Sequence, residues 1–218
     1  MNSQLIRLRE VMDKLRSPGG CPWDAEQDHQ SLLKYLLEES YEFIEAVEED
    51  DRIAMQEELG DLLLQVYFHA RVAEDHKTAP FDIEDIAKSI ADKLERRHPH
   101  VFGGASVKDS AEVVENWEKQ KATEKGRTSA IDGVPLAQPA LPLIAKLLYR
   151  AEKFEYQLNI EKELQLNANT DSDSFGKLMV GLIAQAVELG IDPEASLRNA
   201  ARGLISDIEA HEQGRIGS

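Results

Sequence analysis

The chain has 218 residues, 42% of them hydrophobic, which is enough for one large or two small domains. Its net charge of −16 argues against nucleic-acid binding through a broad basic surface, whereas a divalent cation can still join an acidic protein to a phosphate ligand. The single cysteine, Cys21, excludes an internal disulfide framework and a multi-cysteine metal site, and it favours a reducing, cytoplasmic setting. Without a run of about 18 apolar residues we expect no membrane span, and the amphipathic N-terminal segment does not resemble a signal peptide.

Helical periodicity dominates the chain, and few stretches alternate polar and apolar residues with a period of two. The spacing of apolar residues predicts helices over residues 5–16, 31–49, 54–75, 83–98, 111–125, 143–158, 175–189 and 193–211. Residues 126–142 are rich in turn-forming residues and indicate a linker. We therefore predict an all-α protein built by helix packing, with one helical domain over residues 1–125 and a second over residues 143–218.

The 31–49 helix has an apolar face with carboxylates beside it. At 100° per residue, six apolar side chains fall within about 60° of one line: Leu33, Leu36, Leu37, Phe43, Ile44 and Val47. We expect this face to meet the core. Glu39 lies about 100° to one side of the line and Glu42 about 160° to the same side, while Glu38 lies on the polar back.

The 54–75 helix repeats this arrangement. Its expected core face comprises Leu59, Leu62, Leu63, Val66, Ala70 and Ala73. Glu58 lies about 100° from that face and Asp61 about 160°, again on one side. Because Leu64, Tyr67 and Phe68 cover much of the remaining surface, this helix is apolar nearly all round and should be buried. Carboxylates on a buried helix need a cationic partner.

Two interpretations of the four carboxylates remain open at this point. They can be solvated or salt-bridged, as the many acidic pairs three residues apart on helix surfaces are. Alternatively, they form a metal site between facing helices, as carboxylates do in the cores of helix bundles. Ligation by oxygen alone would favour Mg²⁺ or Mn²⁺ over iron or zinc.

Cationic side chains cluster near the end of the 83–98 helix. Lys93 and Arg97 project onto the apolar face of this helix, within about 20° of Ile86. Arg96 belongs to the same helix end. Long cations in such a position can snorkel to water, or they can hold a polyphosphate chain, since arginine offers a planar fork and lysine a point charge.

Two tryptophans are candidate ligand contacts. Trp117 and Lys121 lie four residues apart and share a helical face, although a tryptophan there also suits the core. Trp23 and Gln27 form an aromatic–amide pair just before the first acidic helix. An aromatic face and an amide are groups with which proteins contact a nucleobase.

Five segments together resemble the MazG family of all-α nucleoside triphosphate pyrophosphohydrolases: GGCPWDAEQ, LLEESYE, EELGDLLLQ, KLERRHPHVF and the later W-x-x-x-K. The resemblance covers about residues 5–125. It implies cleavage of nucleoside triphosphates between the α and β phosphates, giving a monophosphate and pyrophosphate. It also implies a need for Mg²⁺ and a homodimer whose helices assemble a four-helix bundle.

The resemblance also implies roles for individual residues. Four carboxylates would bind the metal: Glu39, Glu42, Glu58 and Asp61. Four further residues would contact phosphates: Lys93, Arg97, Trp117 and Lys121. Glu38 would orient or deprotonate the attacking water. Beyond what the resemblance implies, we expect Trp23 to contact the base.

Longer members of the family carry two such domains in tandem. Residues 129–141 resemble the segment between those domains, but the second E-x-x-D motif is replaced by Ser174-Phe175-Gly176-Lys177. The K-x-x-x-R motif is also lost, near residues 203–207. We therefore expect a degenerate second domain, kept for packing or dimerisation.

The expected function is Mg²⁺-dependent hydrolysis of nucleoside triphosphates in the house-cleaning of the nucleotide pool. The alternative is a catalytically weak helical protein that binds nucleotide or a partner in regulation. A hydrolase restricted to dUTP, dCTP or a related modified nucleotide is a second enzymatic possibility. The expected partners include the nucleotide and a second copy of the chain, but neither nucleic acid nor a membrane.

Overall fold

The computed structural model describes residues 3–124, 126, 129–161, 166 and 170–216. The regular structure in these ranges consists of helices, without a strand, so the prediction of an all-α protein is confirmed. The helices are α1 (Gln4–Arg16), α2 (Pro22–Glu26), α3 (His29–Glu48), α4 (Arg52–Glu74), α5 (Ile83–Arg97), α6 (Pro99–Phe102), α7 (Ser110–Glu124), α8 (Ala140–Lys153), α9 (Ser172–Glu188) and α10 (Pro193–Ile216).

The chain divides into two compact units, Met1–Val113 and Val114–Ser218. The first unit contains α1 to α6 and the start of α7, and the second contains the rest of α7 and α8 to α10. The linker at residues 126–142 and the degenerate second domain remain predictions.

Short polar side chains begin the helices of the first unit. Asp28 accepts a hydrogen bond from the Ser31 amide at 2.7 Å, and Ser31 Oγ accepts one from the Asp28 amide at 3.0 Å. This reciprocal capping box places the start of α3 at His29, two residues before the predicted start. Asp82 begins α5 with a second capping box, and Asp51 caps α4 by accepting hydrogen bonds from the Ile53 and Ala54 amides.

Helices α3 and α4 form an antiparallel hairpin. Three residues join them, and Asp50 in this connection has a φ of 55°, the left-handed conformation that reverses the chain. The two helices pack along their length, and α1 and α5 pack against α4. At the centre of this unit lies a small core formed by Met12, Leu32, Tyr67 and Phe68.

The predicted core face of α3 is only partly correct. Leu33, Leu37 and Val47 are 44%, 57% and 48% exposed, whereas the buried residues are Leu32 and Ala46. In helical projection Glu39 falls between Leu32 and Ala46, so the side of α3 that packs in the hairpin is the side that carries this carboxylate. Within the described part of the first unit this apolar stripe is left partly uncovered, since Leu36, Phe43 and Ile44 are half-buried.

On α4 the predicted core face is only partly correct. Ala70 and Ala73 are buried, but three residues nearer the start of the helix are exposed: Leu59, Leu63 and Val66. Tyr67 and Phe68, on the remaining surface of a helix that was expected to be buried nearly all round, are 8% and 3% exposed, as expected. The second half of α4 is therefore buried on nearly all sides because α1 and α5 cover it.

In the second unit α8 packs against α9 and α10. Arg150 is buried and donates hydrogen bonds to the carbonyls of Ser129 and Asp132. Among the described residues no single helix is long and apolar enough to cross a membrane. The pair formed by α9 and Pro193–Ile205, bent by 105°, passes the same test of length and composition.

Candidate metal and nucleotide site

Three carboxylates converge between α3 and α4. Glu39, Glu58 and Asp61 are half-buried, and each offers one carboxylate oxygen within 4.8 Å of the other two. Glu42, one turn after Glu39, is within hydrogen-bonding reach of Glu58 although it is more exposed. The hairpin thus brings all four carboxylates that the sequence singled out to one place.

The proximity of these groups disfavours their ionised forms. Burial raises the pKa of Glu39, and the negative charges of Asp61, Glu42 and Glu38 raise it further. Burial likewise raises the pKa of Glu58, and the neighbouring Glu42 and Asp61 add to the effect. A cation placed among the four oxygens would reverse this balance, because an opposite charge favours the ionised form.

One oxygen of the cluster is left without a partner. Oε2 of Glu58 is buried and accepts no hydrogen bond from any residue that the structure describes. A buried acceptor of this kind is costly unless something binds it. Carboxylate oxygens are ligands of hard divalent cations, so the residues present fit a Mg²⁺ or Mn²⁺ ion.

The cations predicted to hold phosphate lie on α5, which packs against the helix that carries Glu58 and Asp61. Arg97 is only 7% exposed, so it does not snorkel to water. Lys93 is half-buried along a groove of α5, and Arg96 is exposed at the helix end.

Trp23 is 48% exposed and makes edge-to-face contacts with Tyr35 and Phe68, with ring centroids 5.7 Å and 6.4 Å apart. Gln27 donates from Nε2 to the Trp23 carbonyl at 2.9 Å and accepts at Oε1 from Ser31 Oγ at 2.7 Å. Both ends of the Gln27 amide are therefore engaged within the segment that carries Trp23.

One further candidate of the first unit lies outside the carboxylate cluster. Glu38 is exposed on α3, on the polar back that the projection indicated. Trp117 and Lys121 are half-buried on the part of α7 that belongs to the second unit.

Sequence reasoning missed two features of this unit. Nδ1 of His29 and Nδ1 of His69 are 2.8 Å apart across the hairpin. Arg16 is buried and bonds to backbone carbonyls of the segment that carries Trp23. Neither pairing has a signal in local sequence, because its partners are 40 and 11 residues apart in the chain.

The fold and the site together define an all-α protein with a carboxylate-based candidate metal centre on a helical hairpin. Residues 27–102, which contain the whole hairpin, match the MazG nucleotide pyrophosphohydrolase domain. The chain belongs to the MazG family, and the resemblance inferred from the sequence is confirmed.

Relatives in several bacteria match nearly the whole chain. The nucleoside triphosphate pyrophosphohydrolase/pyrophosphatase MazG of Thermotoga maritima is 39% identical over 225 residues, covering 94% of this chain and 84% of the relative. An uncharacterised 26.1 kDa protein of Streptomyces cacaoi is 42% identical, over 96% of this chain and 83% of its own length. The nucleoside triphosphate pyrophosphohydrolase of Mycobacterium tuberculosis is 47% identical over 96% of this chain, which spans 58% of that protein.

Proposed function

We propose that this protein hydrolyses nucleoside triphosphates between the α and β phosphates, releasing a nucleoside monophosphate and pyrophosphate, and so removes unwanted nucleotides from the pool. The observation that carries the proposal is the convergence of Glu39, Glu58 and Asp61 around the unpartnered oxygen of Glu58. This cluster lies within the matched family segment, and relatives of this chain are named nucleoside triphosphate pyrophosphohydrolases.

The proposed metal ligands are Glu39, Glu42, Glu58 and Asp61, with Mg²⁺ as the ion and Mn²⁺ as a possible substitute. When bound, Mg²⁺ would polarise phosphate oxygens, neutralise charge on the leaving pyrophosphate and lower the pKa of a coordinated water. The raised pKa values of Glu39 and Glu58 support this assignment, because burial and then the neighbouring negative charges disfavour the ionised carboxylates, and a cation would offset both effects.

The remaining roles are proposed from the family resemblance. Glu38, exposed next to Glu39, would orient the attacking water and accept its proton. As the water oxygen bonds to phosphorus, the bond from that phosphorus to the bridging oxygen breaks and pyrophosphate leaves. Lys93 and Arg97 would stabilise the charge that develops on the phosphate oxygens, together with Arg96.

The other proposed substrate contacts are those expected from the sequence and the family resemblance. Trp117 and Lys121 would join the phosphate contacts. Trp23 and Gln27 would contact the base, with Gln27 exchanging one of its present hydrogen-bond partners for the ligand.

The uncovered apolar stripe supports a homodimer. Its exposed residues come from both helices of the hairpin: Leu33, Leu37, Val47, Leu59, Leu63 and Val66. Exposed apolar side chains at helical spacing mark a candidate interaction surface. We propose that a second copy covers it, so that two hairpins make a four-helix bundle. The domain over residues 143–218 would then serve packing or dimerisation, and the cytoplasm is the proposed compartment.

A panel of nucleotides tests the activity. Purified protein is incubated with Mg²⁺ and each common ribo- and deoxynucleoside triphosphate, and the products are separated. We expect equal amounts of monophosphate and pyrophosphate from several of them. Binding without release of pyrophosphate would support a regulatory nucleotide-binding protein instead. Turnover of dUTP or dCTP alone would identify the restricted hydrolase.

A further inference from the structure

Arg16, the last residue of α1, is fastened to the segment that carries Trp23. Its Nη1 donates hydrogen bonds to the backbone carbonyl of Asp24 and, at 3.0 Å, to that of Gln27. The Arg16 side chain is 7% exposed. One guanidinium therefore holds both ends of the last turn of α2 from within the protein.

The same guanidinium also holds α4. Nη2 lies 3.6 Å from an oxygen of Asp75, and the guanidinium carbon lies 5.4 Å from the centre of the Phe68 ring. Phe68 is also one of the two rings against which Trp23 packs. Arg16 thus fixes α2 and the aromatic residue beneath Trp23 relative to each other.

Trp23 is displaced from the carboxylates along the axis of the hairpin. Its neighbour Tyr35 precedes Glu39 by four residues, which is about 6 Å along the axis of α3. Its neighbour Phe68 follows Asp61 by seven residues, about 10 Å along the axis of α4. A ribose separates the base of a nucleotide from its reacting phosphates, so the base must lie at some offset from the metal ligands.

The exposed surface of Trp23 has no evident use in the fold. Trp23 is 48% exposed, and its contacts with two other rings orient the indole. An oriented and exposed aromatic ring is the kind of group on which a nucleobase stacks with little dependence on its identity.

We infer that Arg16 is a positioning residue for base recognition. It holds Trp23 as a stacking platform for the nucleobase, displaced along the hairpin from the metal ligands. The inference rests on the proposed function, whose site it completes. Arg16 does not touch the nucleotide in this arrangement. It acts through the backbone of Asp24 and Gln27, so its replacement should weaken base recognition and leave phosphate recognition intact.

Binding of the reaction product separates these effects. Dissociation constants are measured by calorimetry, with Mg²⁺ present, for the four ribonucleoside 5′-monophosphates and for ribose 5-phosphate, which lacks a base. Wild-type protein should bind at least one monophosphate about tenfold more tightly than ribose 5-phosphate. This ratio should fall to near one in Trp23→Leu and Arg16→Lys, and Trp23→Phe should largely retain it because phenylalanine keeps a ring.

Arg71→Lys is the matched control. Arg71 pairs with Asp13 and Asp75 at the same end of the first unit, so its replacement weakens ion pairs without releasing the carbonyls that Arg16 holds. This variant should keep the wild-type ratio. Circular dichroism and thermal unfolding establish that each variant is folded. Where Arg16→Lys does not fold, Trp23→Leu decides the result, since it retains Arg16.

An unchanged ratio in folded Trp23→Leu or Arg16→Lys, or no preference for the base in the wild-type protein, would overturn the inference. Release of pyrophosphate is scored separately on the same preparations. Hydrolysis without base preference defeats this inference alone, whereas base-dependent binding without hydrolysis defeats the proposed function alone.

Discussion

The imidazole rings of His29 and His69 share a hydrogen bond across the hairpin, with their Nδ1 atoms 2.8 Å apart. Their planes differ by 5° and their centroids are 5.1 Å apart, so the two Nδ1 atoms lie close to the line that joins the rings. Nε2 of His69 is buried, without a hydrogen-bond partner among the described residues. A bare acceptor is less costly there than an unpaired N–H, which places the proton of the shared bond on Nδ1 of His69.

This pairing makes stability depend on pH. Burial, followed by the charge of His29, lowers the pKa of His69 below its ordinary 6.5. Between that lowered pKa and 6.5 the folded state binds fewer protons than the unfolded state, so stability falls as the pH falls through this window. We expect wild-type protein to lose more stability than His69→Gln between pH 7.5 and 5.5, measured by urea unfolding. Parallel profiles for wild type and His69→Gln would show that the His69 ring titrates as it does in the unfolded chain.

Glu39→Gln should separate activity from stability. Loss of this proposed ligand should reduce pyrophosphate release in Mg²⁺ by at least about 100-fold. The metal-free variant should nevertheless unfold at a higher temperature than wild type, because one repelling charge has left a half-buried cluster. Glu45→Gln, on the exposed side of α3, is the matched control and should change neither property. Wild-type turnover in Glu39→Gln would refute the ligand assignment.

Mg²⁺ itself should stabilise the protein through Glu58. An ion that binds only the folded state at about 100 times its dissociation constant adds about 2.7 kcal/mol to the free energy of unfolding. Thermal unfolding with Mg²⁺ or with a chelator should therefore show a higher midpoint with Mg²⁺. In Glu58→Gln this difference should shrink, and an equal rise in both proteins would place the ion elsewhere.

Gly20 should not tolerate a side chain. A Cβ atom there would lie 2.3 Å from the carbonyl oxygens of Lys14 and Leu15, where the chain turns back on α1. We expect Gly20→Ala to lower the free energy of unfolding by about 1–3 kcal/mol in urea titrations. Gly60, on α4, has open space around it, so Gly60→Ala should raise stability by about 0.5–1 kcal/mol. Equal effects of the two substitutions would contradict the crowding at Gly20.

Leu37 tests the proposed dimer. It is 57% exposed in the uncovered stripe, and Leu37→Glu should weaken self-association by about 2 kcal/mol or more, roughly 30-fold. Sedimentation over a range of concentrations measures this change. Val101→Glu replaces a residue that is 64% exposed on α6 and should leave association unchanged. A wild-type chain that sediments as a monomer throughout would leave the stripe without its proposed partner.

Local rules predicted most of the helices, because caps and periodicity act within a few residues of the chain. Asp51 and Asp82 cap α4 and α5 through amides that lie two or three residues away. The spacing of Glu39, Glu42, Glu58 and Asp61 likewise predicted four carboxylates at similar offsets on two helices, and the hairpin brings them together.

What the sequence did not indicate depends on contacts between distant segments. The apolar stripe of α3 was assigned to the core because periodicity identifies a face that avoids water without identifying what covers it. The buried side of α3 instead contains Leu32 and Ala46, which pack within the hairpin. The role of Arg16 could not be predicted from the sequence either. An arginine in the last turn of a helix is common, and the carbonyls that Arg16 contacts lie in another segment of the chain.

The leucines of the uncovered stripe and the carboxylates of the cluster lie on the same two helices. Around each helix the carboxylates are about 100° to 160° from the line of the apolar residues. A cell that makes few copies of the chain would hold mostly single copies, each displaying Leu37 and Leu59 to chaperones and proteases. The lifetime of the protein would then depend on its concentration, because single copies would be degraded faster than paired ones.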